Sequence, residues 1–495
     1  MLSLVIFLPL VAALVLALAR RLPDRTARWA WVAVAGVELA LIVGIWIAYR
    51  TPAPGELAFV ERVEWMPSVG SSYYVGIDGL SLPLLALTNV VFFACAVYAL
   101  REQRRPREQV ALFCFLQTTC LGLFAAQDLI LFFVFFDLSI VGMYFVIAGW
   151  GHGKPQRSAL KFFLYTFLGS LALLVGFIGL YLTAEPHTFD MVELTRRPLT
   201  DSGPVAGFIL AALLIGLAVK TPTFPFHTWL PPAHTDAPAV GSAVLAGVLL
   251  KMGTYGFVRI AMPMLPGAWR SWAWFILAVG IVSVLYGALV ALAQSNVKRM
   301  IAYTSVNHMG YVVLAVGAAG IVTTSDEQAR AVAVSGAVTQ MVSHGLITGA
   351  LFLLAGVLYE RSGSYEMGDY GGLAGPAPRF AVLFAVGAFA SLGLPGFSGF
   401  IAEFQIFAGG IGATAWVAVA LPGILIVAAL FLRALQRLYA GPAGRLTSGF
   451  TDLRPSELVS AGMLLALTVV IGVLPRFLLD VIEPAAQAVV TLVGR

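Results

Sequence analysis

Windows of about twenty apolar residues recur along almost the whole chain, and few folds accommodate them. A run of that length crosses a bilayer as a helix, and in lipid only helices and closed barrels satisfy their own backbone hydrogen bonds. The windows fall near residues 2–19, 30–49, 79–100, 108–126, 128–150, 160–182, 205–227, 236–262, 271–294, 300–320, 329–358, 378–410, 413–439 and 456–475, about fourteen in all. The twelfth is too long for one plain crossing and is interrupted at Gly393-Leu394-Pro395-Gly396. Composition agrees: 60% of the 495 residues are hydrophobic and 11% charged, against roughly 25% charged in a soluble domain. The reading is an all-α integral membrane protein, solvated by the lipid bilayer and with no nucleic-acid partner. The first twenty residues resemble a secretory signal but lack a basic start, and Arg20-Arg21 follow the apolar run. They read as a retained first helix. Cys95, Cys114 and Cys120 lie in apolar runs without C-x-x-C spacing and read as small buried hydrophobes. No bound cofactor, iron–sulfur cluster or metal is indicated, and the glycine-rich break is not followed by the Lys-Ser/Thr of a phosphate loop.

The loops sort by charge. Those after odd-numbered windows hold Arg20, Arg21, Arg25 and Arg28, then Arg101, Arg104, Arg105 and Arg107, then Lys154, Arg157 and Lys161. Lys298 and Arg299, Arg361 and Arg379, and Arg445 and Arg454 continue the series. Loops after even-numbered windows are poorer in basic residues, and several lean acidic (Glu56, Glu61, Glu64; Glu185, Asp190, Glu193, Asp201; Asp326, Glu327). Basic loops stay on the cytoplasmic side, so both termini are expected outside, in a multi-pass protein of the bacterial plasma membrane.

Windows four to eight and nine to thirteen form two groups of five, each with a broken helix fourth. Five is odd, so the second group enters the membrane from the opposite side. That predicts two inverted five-helix repeats, an arrangement common in secondary transporters with sites near the midplane. The expected units are three N-terminal helices over 1–106, a first repeat over 107–268 broken near 220–226, a second over 269–440 broken near 393–399, and one C-terminal transmembrane helix within 441–495.

Asp137, Lys220, Lys251 and Glu403 are isolated charges inside these windows. Each costs about 2.5–3.5 kcal/mol at the bilayer centre, so such residues face a bundle interior or a wet cavity. Lys220 is followed by Thr221-Pro222-Thr223-Phe224-Pro225; two prolines in one turn break a helix and free carbonyls beside the ammonium. His308 and His344 also lie inside windows, with Gln340 one turn before His344. A carboxylate, two ammoniums, two imidazoles and a second carboxylate can relay a proton, because desolvated lysine releases one more readily and imidazole titrates near neutrality. Blander roles stand beside this one: a static Asp137–Lys220 ion pair, Lys251 bound to carbonyls, Glu403 capping its half-helix, and histidines that are simply hydrogen-bonded. His227 and His234 read as ordinary loop residues.

The runs VKTPTFPFHTWLPPAHTDAP, VLAGVLLKMGTYGFVRI, NVKRMIAYTSVNHMGYV, SHGLITGALFLLAGVLYER and GLPGFSGFIAEF, with YYVGIDGLSLP and DLILFFVFFDLSIVGMYF before them, resemble the proton-conducting, antiporter-like membrane subunits of NADH:quinone oxidoreductase (respiratory complex I). Within that family the likeness is to the subunit M branch, over roughly residues 70–440. The resemblance implies a redox-silent chain that couples quinone reduction to proton pumping. NADH, flavin, iron–sulfur clusters and quinone would bind partner subunits, among them neighbouring antiporter-like ones. It implies that Lys220 is the broken-helix lysine, Lys251 the central lysine of the next helix, Glu403 the terminal acid, and His308 and His344 the connecting histidines. Asp137 stands where the family usually has glutamate, Gly142 where it has proline, and Pro232 where it has aspartate. The alternatives are a subunit of a Mrp-type cation/proton antiporter, the equivalent subunit of a membrane-bound hydrogenase or formate-oxidising complex, and a structural spacer that no longer conducts.

Overall fold

A computed structural model describes residues 1–19, 22–53, 55–101, 104–322 and 326–494. Arg20 and Arg21, counted above among the basic loop residues, lie outside the described residues. Two helices, α1 (Leu2–Leu18) and α2 (Asp24–Ala48), lead into an antiparallel hairpin of β1 (Ala58–Met66) and β2 (Ser71–Ile77). Then come α3 (Leu82–Tyr98), α4 (Pro106–Ala125), α5 (Leu129–Trp150), α6 (Pro155–Thr183), the short α7 (Met191–Arg196) and α8 (Pro204–Lys220). The short α9 (Leu230–Asp236) and α10 (Ala239–Met264) complete the first half. The second half is α11 (Pro266–Leu292), α12 (Val297–Ala319), α13 (Glu327–Ser362), α14 (Pro378–Ser391), α15 (Ser398–Ala413) and α16 (Pro422–Tyr439). Two further helices follow, α17 (Pro455–Val473) and α18 (Arg476–Gly494). Among the described residues, eleven helices are long and apolar enough to cross a membrane.

Both anticipated breaks are present. The first group's fourth helix stops at Lys220 and resumes as α9; the second group's stops at Ser391 and resumes as α15. At the second break Gly393 and Gly396 have φ of +73° and +97°, a region that glycine enters without steric cost. At the first, Trp229 Nε1 donates to the Val219 carbonyl at 2.9 Å, satisfying a backbone acceptor that the break leaves free.

The core is a set of helices whose surfaces are almost wholly covered. α13 is buried along its length, and α10 and α12 nearly so. A helix apolar on every side belongs in the middle of such a bundle. α1, α6, α11 and α16 enclose them and expose Val11, Leu168, Phe275 and Leu425, side chains suited to lipid or to a neighbouring apolar surface.

Three features depart from the sequence reading. The β-hairpin was not anticipated, because its residues fall between apolar windows; Asp128 fastens it, accepting from Ser71 Oγ and Ser72 N at 3.0 and 2.9 Å while its side chain caps α5. Residues 441–495 hold two helices, not one. By length and composition α18 passes for a span, yet it touches only one end of the bundle. Phe477 meets Trp46 near the end of α2, and the Val481 carbonyl abuts Gly79 just before α3. Gln487 and Thr491 reach Glu327 at the start of α13, and the Val493 carbonyl accepts from Arg270 at the start of α11. A crossing helix would touch opposite ends of its neighbours; α18 lies across one. Finally Lys298, read as a loop charge, is fully buried and donates to the Ala237 carbonyl at 2.6 Å.

Candidate functional site

The centre of the molecule holds a polar string within apolar walls. Lys251 sits in α10 between two wide π-helical turns, Leu245–Leu249 and Phe257–Ala261. Such turns release carbonyls from the regular ladder and occur often at functional sites. Here the Lys251 ammonium donates to the Ala246 carbonyl and lies 2.7 Å from Nδ1 of His344 on α13. The His344 ring stands edge-on to that of His308 on α12, centroids 5.4 Å apart. His308 Nε2 is 3.2 Å from the carbonyl of Ser391, the last residue before the break, and 3.9 Å from Oε1 of Glu403 on α15. Lys251, His344, His308 and Glu403 thus form one continuous series across four helices.

The polar atoms of this series are not all satisfied by protein. His344 Nε2, His308 Nδ1, Gln340 Oε1 and Ser391 Oγ are buried without a partner, and buried polar groups are almost always hydrogen-bonded, often to ordered water. A cavity of about 10 Å³, lined by His308, His344, Gln340, Ser391 and Glu403 among others, is roughly the volume of one water. Glu403 does not cap its half-helix. It stands in the second turn of α15 and points back at Gly393, where a Cβ would meet its Oε2 at 2.4 Å.

Lys220 closes α8, at the helix end where a cation is favoured. Its ammonium donates to Ser139 Oγ on α5 at 3.0 Å and lies 4.7 Å from the Phe136 ring centroid. Asp137 is not its direct ion-pair partner. It is half-buried, turns towards Ser170 of α6, and leaves Oδ1 unpartnered. The static ion pair considered from the sequence is therefore absent; Ser139, two residues on along α5, holds the lysine instead. The two lysine sites adjoin through Met252, whose sulfur is 3.4 Å from Ser139 Oγ. They also adjoin through Gly253, packed so closely on α8 that a Cβ would lie 2.3 Å from Thr221 Oγ1.

Sequence reasoning misjudged His234 and passed over Glu38. His234 is fully buried, stacks on Phe352 at 4.4 Å, has both ring nitrogens unpartnered and lies in electrostatic reach of Lys298 and Lys251. Its proline-rich surroundings disguised it as a loop residue. Glu38 is a lone acid inside the window 30–49, and the criterion that singled out Asp137 would have found it. Among the described residues no cluster of metal-ligating side chains occurs.

Residues 126–429 match the family described as NADH:quinone oxidoreductase/Mrp antiporter, TM. The chain is 36% identical to NADH-quinone oxidoreductase subunit M of Rickettsia bellii, covering 98% of this chain and 97% of the relative. It is 37% identical to subunit M of Rhodobacter capsulatus, with 99% and 96% covered. Its fold superposes on a chain of respiratory complex I from Thermus thermophilus with a TM-score of 0.90 at 32% identity, each chain covered in full. A chain of the Mrp complex from Dietzia sp. shares the fold at a TM-score of 0.86 and 22% identity, with 100% and 99% covered. A multi-pass membrane protein built on this fold, and this similar to those relatives over nearly its whole length, belongs to the NADH:quinone oxidoreductase/Mrp antiporter transmembrane family.

Proposed function

We propose that the chain is a proton-translocating, redox-silent membrane subunit of a bacterial NADH:quinone oxidoreductase. It would work beside neighbouring antiporter-like subunits, while NADH, flavin, iron–sulfur clusters and quinone are held by partner subunits. One observation carries the reading: Lys251, His344, His308 and Glu403 form a contiguous relay through buried, partly unpartnered polar atoms. The subunit M relatives and the complex I likeness support the assignment to that enzyme.

In this reading residues 107–268 and 269–440 are two inverted half-channels, preceded by three helices and followed by the C-terminal segment. The plasma membrane is the location, with both termini outside. Quinone reduction elsewhere in the complex alters the field at one end of the charged axis. Asp137, half-buried at the bundle surface, is placed to feel a neighbour's charge before Lys220 does. Opposite charges about 4 Å apart interact by about 4 kcal/mol at an effective dielectric near 20. Moving one such charge to or from Lys220 is therefore enough to switch it between holding and releasing a proton. The change passes across the α8–α10 contact to Lys251, and through the two imidazoles to Glu403.

Lys220→Ala and Glu403→Ala, each in the assembled complex, test this. Both should lose proton pumping in reconstituted vesicles while the complex remains assembled. Normal pumping from either variant removes that residue from the path.

A further inference from the structure

Glu38 has no part in the axis described so far. It stands near the middle of α2, on the helix's buried stripe of Ala27, Trp31, Ala35, Glu38, Ile42 and Ile45, and is fully buried. Neither carboxyl oxygen has a hydrogen-bond partner, and among the described residues no basic side chain compensates it. A carboxyl at membrane depth is costly, and such residues are typically retained where they serve a pathway or a pair. With no pair present, the pathway is the reading to pursue.

The facing surface of α4 supplies one. Cys114 lies in electrostatic reach of Glu38. Gln117, one turn on, donates from Nε2 to Asn89 Oδ1 of α3 at 2.8 Å and leaves its own Oε1 unpartnered, as does Thr118 its Oγ1. Cys120, another turn on, lies in electrostatic reach of Lys220. Positions three apart share a helix face, so Cys114, Gln117 and Cys120 form a strip of about 9 Å along α4, with Glu38 beside its first member and Lys220 beside its last. In the other direction, towards the arginine-rich ends where α2 and α4 begin, Trp31 Nε1 and Gln109 Nε2 are also buried and unpartnered. Unpartnered polar atoms in sequence mark places where buried water completes the hydrogen bonding.

We propose that Glu38 is a proton-exchanging carboxyl midway along a hydrated branch that enters past Gln109 and Trp31, follows α4 through Gln117, and ends on Lys220. A proton from solvent at the arginine-rich end forms the O–H bond on Glu38. That bond then breaks, the proton crosses the water of the α4 strip, and an N–H bond forms on the neutral amine of Lys220. The N-terminal three-helix unit, through Glu38 of α2 and together with α4 of the first repeat, thereby loads the first lysine instead of merely bracing the bundle. The proposal rests on the reading of Lys220 as a proton carrier.

The test uses the whole complex in sealed vesicles, with Glu38→Gln, Glu38→Asp, Gln117→Leu and Lys220→Ala compared for protons pumped per electron transferred. Turnover difference infrared spectra report carboxyl protonation directly. Glu38→Gln should lower the proton-to-electron ratio towards that of Lys220→Ala and remove one carboxyl band; Glu38→Asp should restore part of both. Should Glu38→Gln not assemble, Gln117→Leu should lower the ratio by drying the strip. An assembled Glu38→Gln or Gln117→Leu complex with the wild-type ratio overturns the branch when Lys220→Ala is silent. A pumping Lys220→Ala complex instead overturns the reading of Lys220 on which it rests.

Discussion

Gly393 and Glu403 face each other across the second break, and the glycine has to be one. An alanine there would hold a left-handed φ at a cost of about 1–2 kcal/mol. Its Cβ would also lie 2.4 Å from Glu403 Oε2, so the carboxyl would swing away from His308. Gly393→Ala should therefore leave the complex assembled while lowering protons pumped per electron, to a value between wild type and Glu403→Ala in the same vesicle assay. A different residue-scale effect lies outside the spans. In the loop between α5 and α6, burial and the Lys298 ammonium push His152 from 6.5 down to about 4. Its ring packs, tilted, against that of Tyr359, with centroids 4.3 Å apart. Between those two values the unfolded chain binds a proton that the folded chain refuses, so stability rises with pH across the window. The contribution is complete above about pH 6.5 and lost as pH falls towards 4. Thermal unfolding of the purified complex should show that slope, and His152→Asn should flatten it.

Among elements, α18 is the one that the apolar windows left out, the last of them ending at residue 475. Leu478, Val481, Ile482, Val489, Val490 and Val493 point into the bundle end. At about 1.5–3 kcal/mol for each large apolar side chain, the gross burial is on the order of 10 kcal/mol, partly offset by the entropy of ordering the helix. A chain ending at Pro475 should still insert, because the membrane-crossing helices are intact. The complex containing it should dissociate at a lower temperature, as read by native electrophoresis after graded heating. Its apolar face and modest charge count satisfy the average that marks a crossing helix, and only the sidedness of its contacts separates the two. The hairpin escaped because its strands are short, β1 carrying Glu61, Arg62 and Glu64, with no run of the length that marks a span.

For the whole molecule, most of the architecture was legible because lipid admits so few solutions. Helical windows, charge alternation and two proline- or glycine-marked breaks were each visible in the residues, and the breaks lie where they were read. The polar string was half legible. A lone charge in an apolar window announces burial, so Lys220, Lys251 and Glu403 stood out, but nothing linear says which buried groups meet. Lys220 finds Ser139 and not Asp137, since facing depends on how α5 and α8 rotate against each other. His234 and Lys298 were hidden by neighbours that looked like loop. His234 is covered by Phe352 of α13, and Lys298 by the Ala237 carbonyl and the Tyr365 ring, long-range contacts that local composition does not record.

The irregularity of α10 has one more implication. A π turn amounts to a single supernumerary residue accommodated in an otherwise regular spiral, so everything beyond it is rotated by roughly a quarter-turn or more relative to an uninterrupted helix. With one such turn on each side of Lys251, the ammonium's direction can be re-aimed by letting either irregularity migrate a step along the backbone, without sliding or tilting the rod as a whole.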